Sequence, residues 1–553
     1  MRVAPTLVAA LLALPPVTAG GQQAPCGTRR EGARAALALH RYAQQARALA
    51  GHDTFRADSR ARDTDVAHVA VLEDQGDLVV RRNTFDLDQS ALRFEPNATG
   101  GFDVRSVSGR PEPAGEPIPV STGGAALVDL PFDFPFFGRA ERRVFVQADG
   151  NLTFGQAALG SAPGLSDFLS GPPRLAALFA SLDPSRGGTI SARLLADRAV
   201  FDWRDVPGAG QINRNSFQAV LYPNGTIDVL YGPIETREGV VGVSPGGVFE
   251  VTAAELARGE PRGSTGALAE VFSESEKVDL VAVARRFYRS HPDIFEQLIV
   301  YTTRPLNPVP GTLAFELNVK NEILGIGLPV EDRAADYGSS GALRSLVHMD
   351  AIDPYLEVDG FEILGHEVGH RWGARLQFGT AGAVNSSLLG RGGVHWSFFA
   401  DTDASVLEGN DIEDGGGGRF ETVAIARGYS ALDLYAMGLR SAAEVPPFFY
   451  VESPDDFRPN RGYKATSGPE PGVSFTGVRR DVRIEEVVAA LGPRMPSAEE
   501  APRLLRQAFI LIADETGPAT PERLLALARI RSRFEPWYHE ATGGRGEVDS
   551  TLP

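Results

Sequence analysis

Residues 66–87 alternate apolar and polar positions in two runs, VAHVAVLE and LVVRRNTFDL, on either side of Asp74-Gln75-Gly76-Asp77. A period of two around turn-forming residues predicts a β-hairpin. The pattern is denser from about Val120 to Glu250, in Leu130–Gly138, Val144–Gly155, Ala199–Val206 and Ser216–Gly232. Asp149-Gly150 and Asn224-Gly225 fall between β-branched and aromatic runs, which predicts two tight hairpins, because Gly and Asn tolerate positive φ. An antiparallel β domain is expected here. Helical stretches flank it: Arg30–Ala50 is rich in Ala, Arg and Gln, and Ser275–His291 carries helical spacing. Phe295–Thr303 and Thr312–Asn321 then look like strands, and the chain after Glu485 reads as helix in Glu485–Gly492, Pro502–Ala513 and Pro521–Ala541. A proline-rich run, Arg110–Pro119, and the segment Arg258–Thr265 mark linkers.

At 553 residues the chain exceeds what one hydrophobic core supports. The pattern divides it into a leader (1–19), a helical segment or propeptide (20–65), a small β region with linker (66–119), an antiparallel β domain (120–260) and an α+β domain (270–553). The fold class expected is therefore multidomain, with N-terminal antiparallel β modules followed by an α+β domain. The first residues, MRVAPTLVAALLALPPVTAGG, pair an Arg with an apolar run and small residues at 17–19, which reads as a signal peptide and predicts export. No later run reaches the 18 or so apolar residues that span a bilayer. A net charge of −17 disfavours nucleic acid or an anionic membrane surface as a partner. The single cysteine, Cys26, permits no intramolecular disulfide, so packing, with or without a bound metal, must supply stability.

The chemistry concentrates in FEILGHEVGHRW, residues 361–372, where His366-Glu367-Val368-Gly369-His370 spells H-E-x-x-H. On a helix, positions four apart lie nearly in line, so both imidazoles reach one ion. With nine histidines in the chain, about 0.01 chance matches to this pentapeptide are expected. Polar His366, Glu367 and His370 on a helix with apolar Phe361, Ile363, Leu364, Val368, Trp372 and Leu376 would be costly to bury without partners, and a metal removes that cost. Zn2+ takes neutral histidine nitrogens, and Glu367 is placed to act as the general base of a metal-activated water. Gly365, Gly369 and Gly373 recur every four residues, which implies that another segment or the substrate approaches the helix closely there.

His366, Glu367 and His370, followed by Arg371-Trp372, resemble the zincin metallopeptidases, in particular uncharacterised secreted bacterial ones, over about residues 270–550. The resemblance implies zinc, hydrolysis of peptide bonds and a protein or peptide substrate. The Phe/Pro segment at 130–138, the Asp-Gly-Asn turn and FQAVLYPNG at 217–225 resemble the nidogen-like extracellular β domain, which implies a noncatalytic module.

The third zinc ligand departs from the metzincin pattern: Leu376 stands where that family places a histidine. His395 is favoured, because imidazole is a preferred ligand and the glycines before it allow the loop to fold back. Glu408 comes next, then Asp401 or Asp403. Tyr429 or Tyr435 could donate to a developing oxyanion and Asp433 could orient a ligand, but Leu432, Leu434, Met437 and Leu439 suit plain core packing, the favoured reading of this segment. Asp411, Glu413 and Asp414 beside four glycines offer oxygens to calcium, but the D-x-D-x-D-G order with a distal Glu is missing, and a solvated flexible loop is the favoured reading. Taken together, the residues point to a secreted zinc endopeptidase with Glu367 as base and His366, His370 and His395 as ligands. A zinc hydrolase of a nonpeptide amide or ester, and an adhesion protein with an inactive peptidase domain, are the alternatives.

Overall fold

The computed structural model describes residues 32–50, 63–160, 163–258, 262–306, 314–380 and 382–553. The expected signal peptide (1–19) and Cys26 lie outside the described residues. No helix among the described residues is long and apolar enough to cross a membrane. The molecule is strand-rich and multidomain, with several sheets and several separate hydrophobic cores.

The two Asp-Gly and Asn-Gly turns form as expected. Arg139–Gln147 pairs with Asn151–Phe154 around Gly150 at φ +82°, and Asn215–Leu221 pairs with Ile227–Ile234 around Gly225 at φ +88°. These hairpins belong to two facing sheets. One has eight strands in the order Arg262–Ser264, Phe102–Ser106, Ala91–Pro96, Ile227–Ile234, Asn215–Leu221, Arg198–Val206, Thr189–Leu195 and Glu116–Pro117. The other has seven, in the order Val251–Ala253, Ala267–Phe272, Gly239–Ser244, Arg174–Phe179, Asn151–Phe154, Arg139–Gln147 and Ala125–Phe136. Alternate residues of both sheets, among them Phe94, Trp203 and Phe217 on one side and Phe134, Phe154 and Leu175 on the other, fill one shared core. Trp203 stacks on Phe217 at 5.0 Å and donates its indole N–H to the Gln147 carbonyl of the opposite sheet.

This sandwich is larger than the 120–260 segment expected. Ala91–Pro96 and Phe102–Ser106 pair into it from the N-terminal side, Glu116–Pro117 of the proline-rich run is an edge strand on Ser191–Ala192, and Arg262–Ser264 of the second linker pairs with Phe102–Val104. Pairing across more than seventy residues leaves no local trace in composition, so both linkers looked like boundaries.

A third sheet, of mixed strand direction, organises the C-terminal half in the order Thr64–Val66, Val69–Glu73, Leu504–Ala513, Gln297–Thr302, Ser345–Ala351, Phe315–Asn318, with Glu547–Asp549 also paired to Leu504–Arg506. Four of these strands run parallel, from Val69–Glu73 to Ser345–Ala351. Successive residues feed opposite cores: Ile299, Tyr301, Phe509 and Leu511 face one side, and Leu298, Val300, Ile510 and Ile512 the other.

Two expectations fail here, one in the choice of partner strand and one in the type of element. The hairpin over 66–87 does not form, because Val69–Glu73 pairs with Phe509–Ala513 and Val79–Val80 pairs with Lys277–Val278. Pro502–Ala513 is not helix, because Leu504–Ala513 is a strand. Strands covered on both faces lose the polar alternation and become continuous apolar runs, which periodicity cannot tell from buried helix.

The N-terminal helix, Ala33–Leu49, ties the two halves together. Its Ala38 and Tyr42 pack on the sandwich, while Ala33 and Leu37 join the core of the mixed sheet. His40 Nδ1 lies 2.8 Å from the buried Asp279 carboxylate. On the opposite face of the mixed sheet sit the helices Phe361–Gly369 and Pro521–Ala541, and beyond them a four-stranded antiparallel sheet of Asn410–Gly416, Arg419–Ile425, Ser474–Val482 and Phe448–Arg458.

Candidate metal centre

The motif helix runs from Phe361 to Gly369 and stops one residue short of the second histidine, yet His370 keeps right-handed helical angles (φ −60°, ψ −19°). The one-turn relation between His366 and His370 is therefore preserved: their rings are 4.5 Å apart and their Nε2 atoms 2.9 Å apart.

The glycines explain how the helix can lie so deep. A Cβ on Gly365 would fall 2.0 Å from the Trp537 ring, one on Gly369 would fall 2.9 Å from Tyr429 and 3.0 Å from Leu407, and one on Gly373 would fall 2.6 Å from Leu407. Tyr429 also donates its hydroxyl to the Gly365 carbonyl at 2.6 Å. The segments that approach the stripe are thus the C-terminal helix, the loop around Leu407 and Tyr429.

His395 arrives from a turn whose Gly392 and Gly393 both adopt left-handed φ, +66° and +69°, which a side chain would resist. Its ring lies 5.1 Å from that of His366 and 4.9 Å from that of His370, and one ligand atom from each of the three falls within 4.8 Å of the others. All three are buried.

The outer nitrogens are equally ordered. His366 Nδ1 donates to the Val406 carbonyl at 2.8 Å, His370 Nδ1 to the Gly373 carbonyl at 3.2 Å, and His395 Nδ1 to the Arg391 carbonyl at 2.7 Å. A carbonyl only accepts, so each Nδ1 carries the proton and each Nε2 presents a lone pair inward. Burial pushes the pKa of every one of these rings below the ordinary imidazole value. The neighbouring imidazoles deepen the effect at His370, as do His366 and Arg391 at His395, so the three are held neutral. Three neutral, converging nitrogens held by hydrogen bonds from behind are the donor set that suits Zn2+. The residues present therefore fit the metal that the motif implies.

Glu367 sits between the two motif histidines and is fully buried. Glu408, the alternative ligand, pairs instead with Arg391, which donates Nε–H to Oε2 at 3.2 Å and a second N–H to Oε1, while Oε1 stays 3.8 Å from His395 Nε2. Asp401 and Asp403 do not join the histidines; they group with Asp411. Burial, with Asp403 and Asp411 nearby, raises the Asp401 pKa to about 6. The acidic loop weighed as a calcium site is a hairpin in which Asp411 pairs with Arg427 and Asp414 with Arg479, each at 3.1 Å.

Sequence reasoning underrated Asp433 and missed its partners. Its carboxylate accepts from Trp396 Nε1 at 2.9 Å, Ser405 Oγ at 2.6 Å and the Ser430 amide at 2.7 Å. One buried carboxylate thereby fixes the residue after His395 and the residue before Val406, whose carbonyl orients His366. The S-x-x-D spacing of Ser430 and Asp433, a capping box at the start of helix Ala431–Met437, was the available signal. Tyr435 bonds the Arg494 amide, and Met437 packs in the core.

Residues 113–269 match the family described as NIDO related. The match covers the body of the β sandwich and leaves the three histidines outside it. No curated protein and no solved structure matches the chain.

Proposed function

We propose that the chain is an exported zinc-dependent endopeptidase whose C-terminal half is a zincin-like α+β domain and whose nidogen-related sandwich is a noncatalytic module. The observation that carries this reading is the convergence of His366, His370 and His395 through Nε2, each fixed by a carbonyl behind it, beside the Glu of an H-E-x-x-H helix. Three protein donors are the number that leaves a zinc ion open to substrate. Zinc held there supplies Lewis acidity, polarising a scissile carbonyl and bringing the pKa of water to about 7. Glu367 would take the proton of the attacking water as the new C–O bond forms, and would then pass it to the amine nitrogen so that the C–N bond breaks and the amine leaves. An extended substrate would add to the mixed sheet along its terminal strand, Phe315–Asn318, on the side where the motif helix packs.

The test is Glu367→Gln in the full chain, assayed for zinc content and for cleavage of a protein panel. Retained zinc with hydrolysis lost by at least 100-fold is expected. Undiminished turnover would refute the role of Glu367. The near-complete burial of the histidines and Glu367 favours one second reading, a structural metal in a binding protein; zinc bound without cleavage of any peptide, amide or ester by the wild-type chain would select it.

A further inference from the structure

Arg391 touches both of the groups that compete for the metal centre. One of its guanidinium N–H groups lies 3.1 Å from His395 Nε2, the lone pair that ligation needs, and the same nitrogen bonds Glu408 Oε1. Its Nε–H holds the other carboxylate oxygen at 3.2 Å, so Glu408 is gripped through both oxygens. The grip is needed because Glu408 is built to point at the site. It is buried to 9% side-chain exposure, stands 3.8 Å from His395 Nε2, and keeps a left-handed backbone (φ +60°) that a non-glycine residue adopts only when its surroundings impose it. A carboxylate at that distance from a ligand nitrogen is a ready fourth donor for zinc.

We infer that Arg391 is the positioning residue that keeps the fourth position of the tri-histidine centre open, by holding the Glu408 carboxylate in a two-point ion pair and away from the cation. The inference rests on the metal reading proposed above. When a cation takes the His395 lone pair, the two bonds to Glu408 are what remain of this set of contacts, and a planar guanidinium is the side chain able to make both. Without Arg391, the buried carboxylate loses the guanidinium that grips both its oxygens, the metal offers the compensating charge, and Glu408 closes the site as a fourth protein ligand.

The consequence is a pair of changes that loss of a nearby cation alone would not give together: metal binding tightens, and the fourth position closes to an added ligand. Zn2+ affinity of the wild-type chain, Arg391→Gln, Glu408→Gln and the double variant would be measured by competition with a chromogenic chelator. Co2+-loaded samples would be titrated with azide while the d–d absorption is followed. Arg391→Gln is expected to bind Zn2+ at least tenfold more tightly and to lose the azide response that the wild type shows. The double variant should return to wild-type affinity and regain the response. Should Arg391→Gln fail to fold, Arg391→Lys, which keeps the charge but grips one oxygen, should show the same changes in weaker form.

Wild-type protein that binds Zn2+ and responds to azide, with an Arg391→Gln affinity equal or weaker, overturns the role of Arg391 and leaves the metal reading standing. A wild-type Co2+ spectrum indifferent to azide, with affinity falling tenfold or more in Glu408→Gln, makes Glu408 a resident ligand and also overturns it. A wild-type chain that binds neither metal overturns the metal reading itself.

Discussion

Replacing Gly365 by alanine separates helix propensity from packing, because the two act with opposite sign. In the middle of the Phe361–Gly369 helix, Gly→Ala alone is worth about 1 kcal/mol of added stability. The new Cβ, however, would lie 2.0 Å from Trp537 Cη2 and 2.4 Å from Cζ3, where carbon atoms normally rest at about 3.5–4.0 Å. The indole has little room to yield: it stacks on Phe534 at 5.4 Å and lies 5.9 Å from Phe361. Overpacking of this kind costs about 3 kcal/mol, so the net loss expected is about 2 kcal/mol. The helix would also be pushed off its seat beside His366, weakening zinc binding. Urea unfolding of the full chain, followed by tryptophan fluorescence, measures the first effect and chelator competition the second. The same substitution in a Trp537→Leu background should lose its penalty or turn stabilising by about 1 kcal/mol. If Gly365→Ala is as stable as wild type with Trp537 in place, the close approach argued for the glycine stripe is refuted.

Asp433→Ala removes one acceptor shared by Trp396, Ser405 and the Ser430 amide; leaving these buried donors unsatisfied should cost about 3–5 kcal/mol and loosen zinc by 10–100-fold, whereas equal zinc affinity would deny Asp433 its part in orienting the centre. The three histidines have folded pKa values below the ordinary 6.5, so below that pH the unfolded chain takes up protons that the folded chain does not. Their contribution is thus present above pH 6.5 and is lost as pH falls towards the folded values, at up to about 1.4 kcal/mol per pH unit for each ring. Chelator-treated His395→Gln should therefore lose stability less steeply than chelator-treated wild type between pH 6.5 and 5, and equal slopes would contradict neutral burial of His395.

What the amino-acid sequence determined by itself was local. The Asp149-Gly150 and Asn224-Gly225 hairpins, the helices at 33–49, 280–290 and 521–541, and the one-turn spacing of His366 and His370 depend on residues a few positions apart, where backbone sterics and helical pitch decide the outcome. His395 was placed near the motif by chemistry and by the freedom of its preceding glycines, not by any pattern linking the two. Only the tertiary structure decided that Val69–Glu73 crosses more than 400 residues to pair with Phe509–Ala513, that Leu504–Ala513 is strand, and that Ala91–Ser106 belongs to the sandwich. It alone joined Asp433 to the flank of His395 and to the loop whose Val406 carbonyl orients His366, and set Arg391 between His395 and Glu408. The physical reason is the same in each case. A strand buried on both faces, or a side chain whose partner is distant in sequence, takes its environment from packing that no short window of the chain contains.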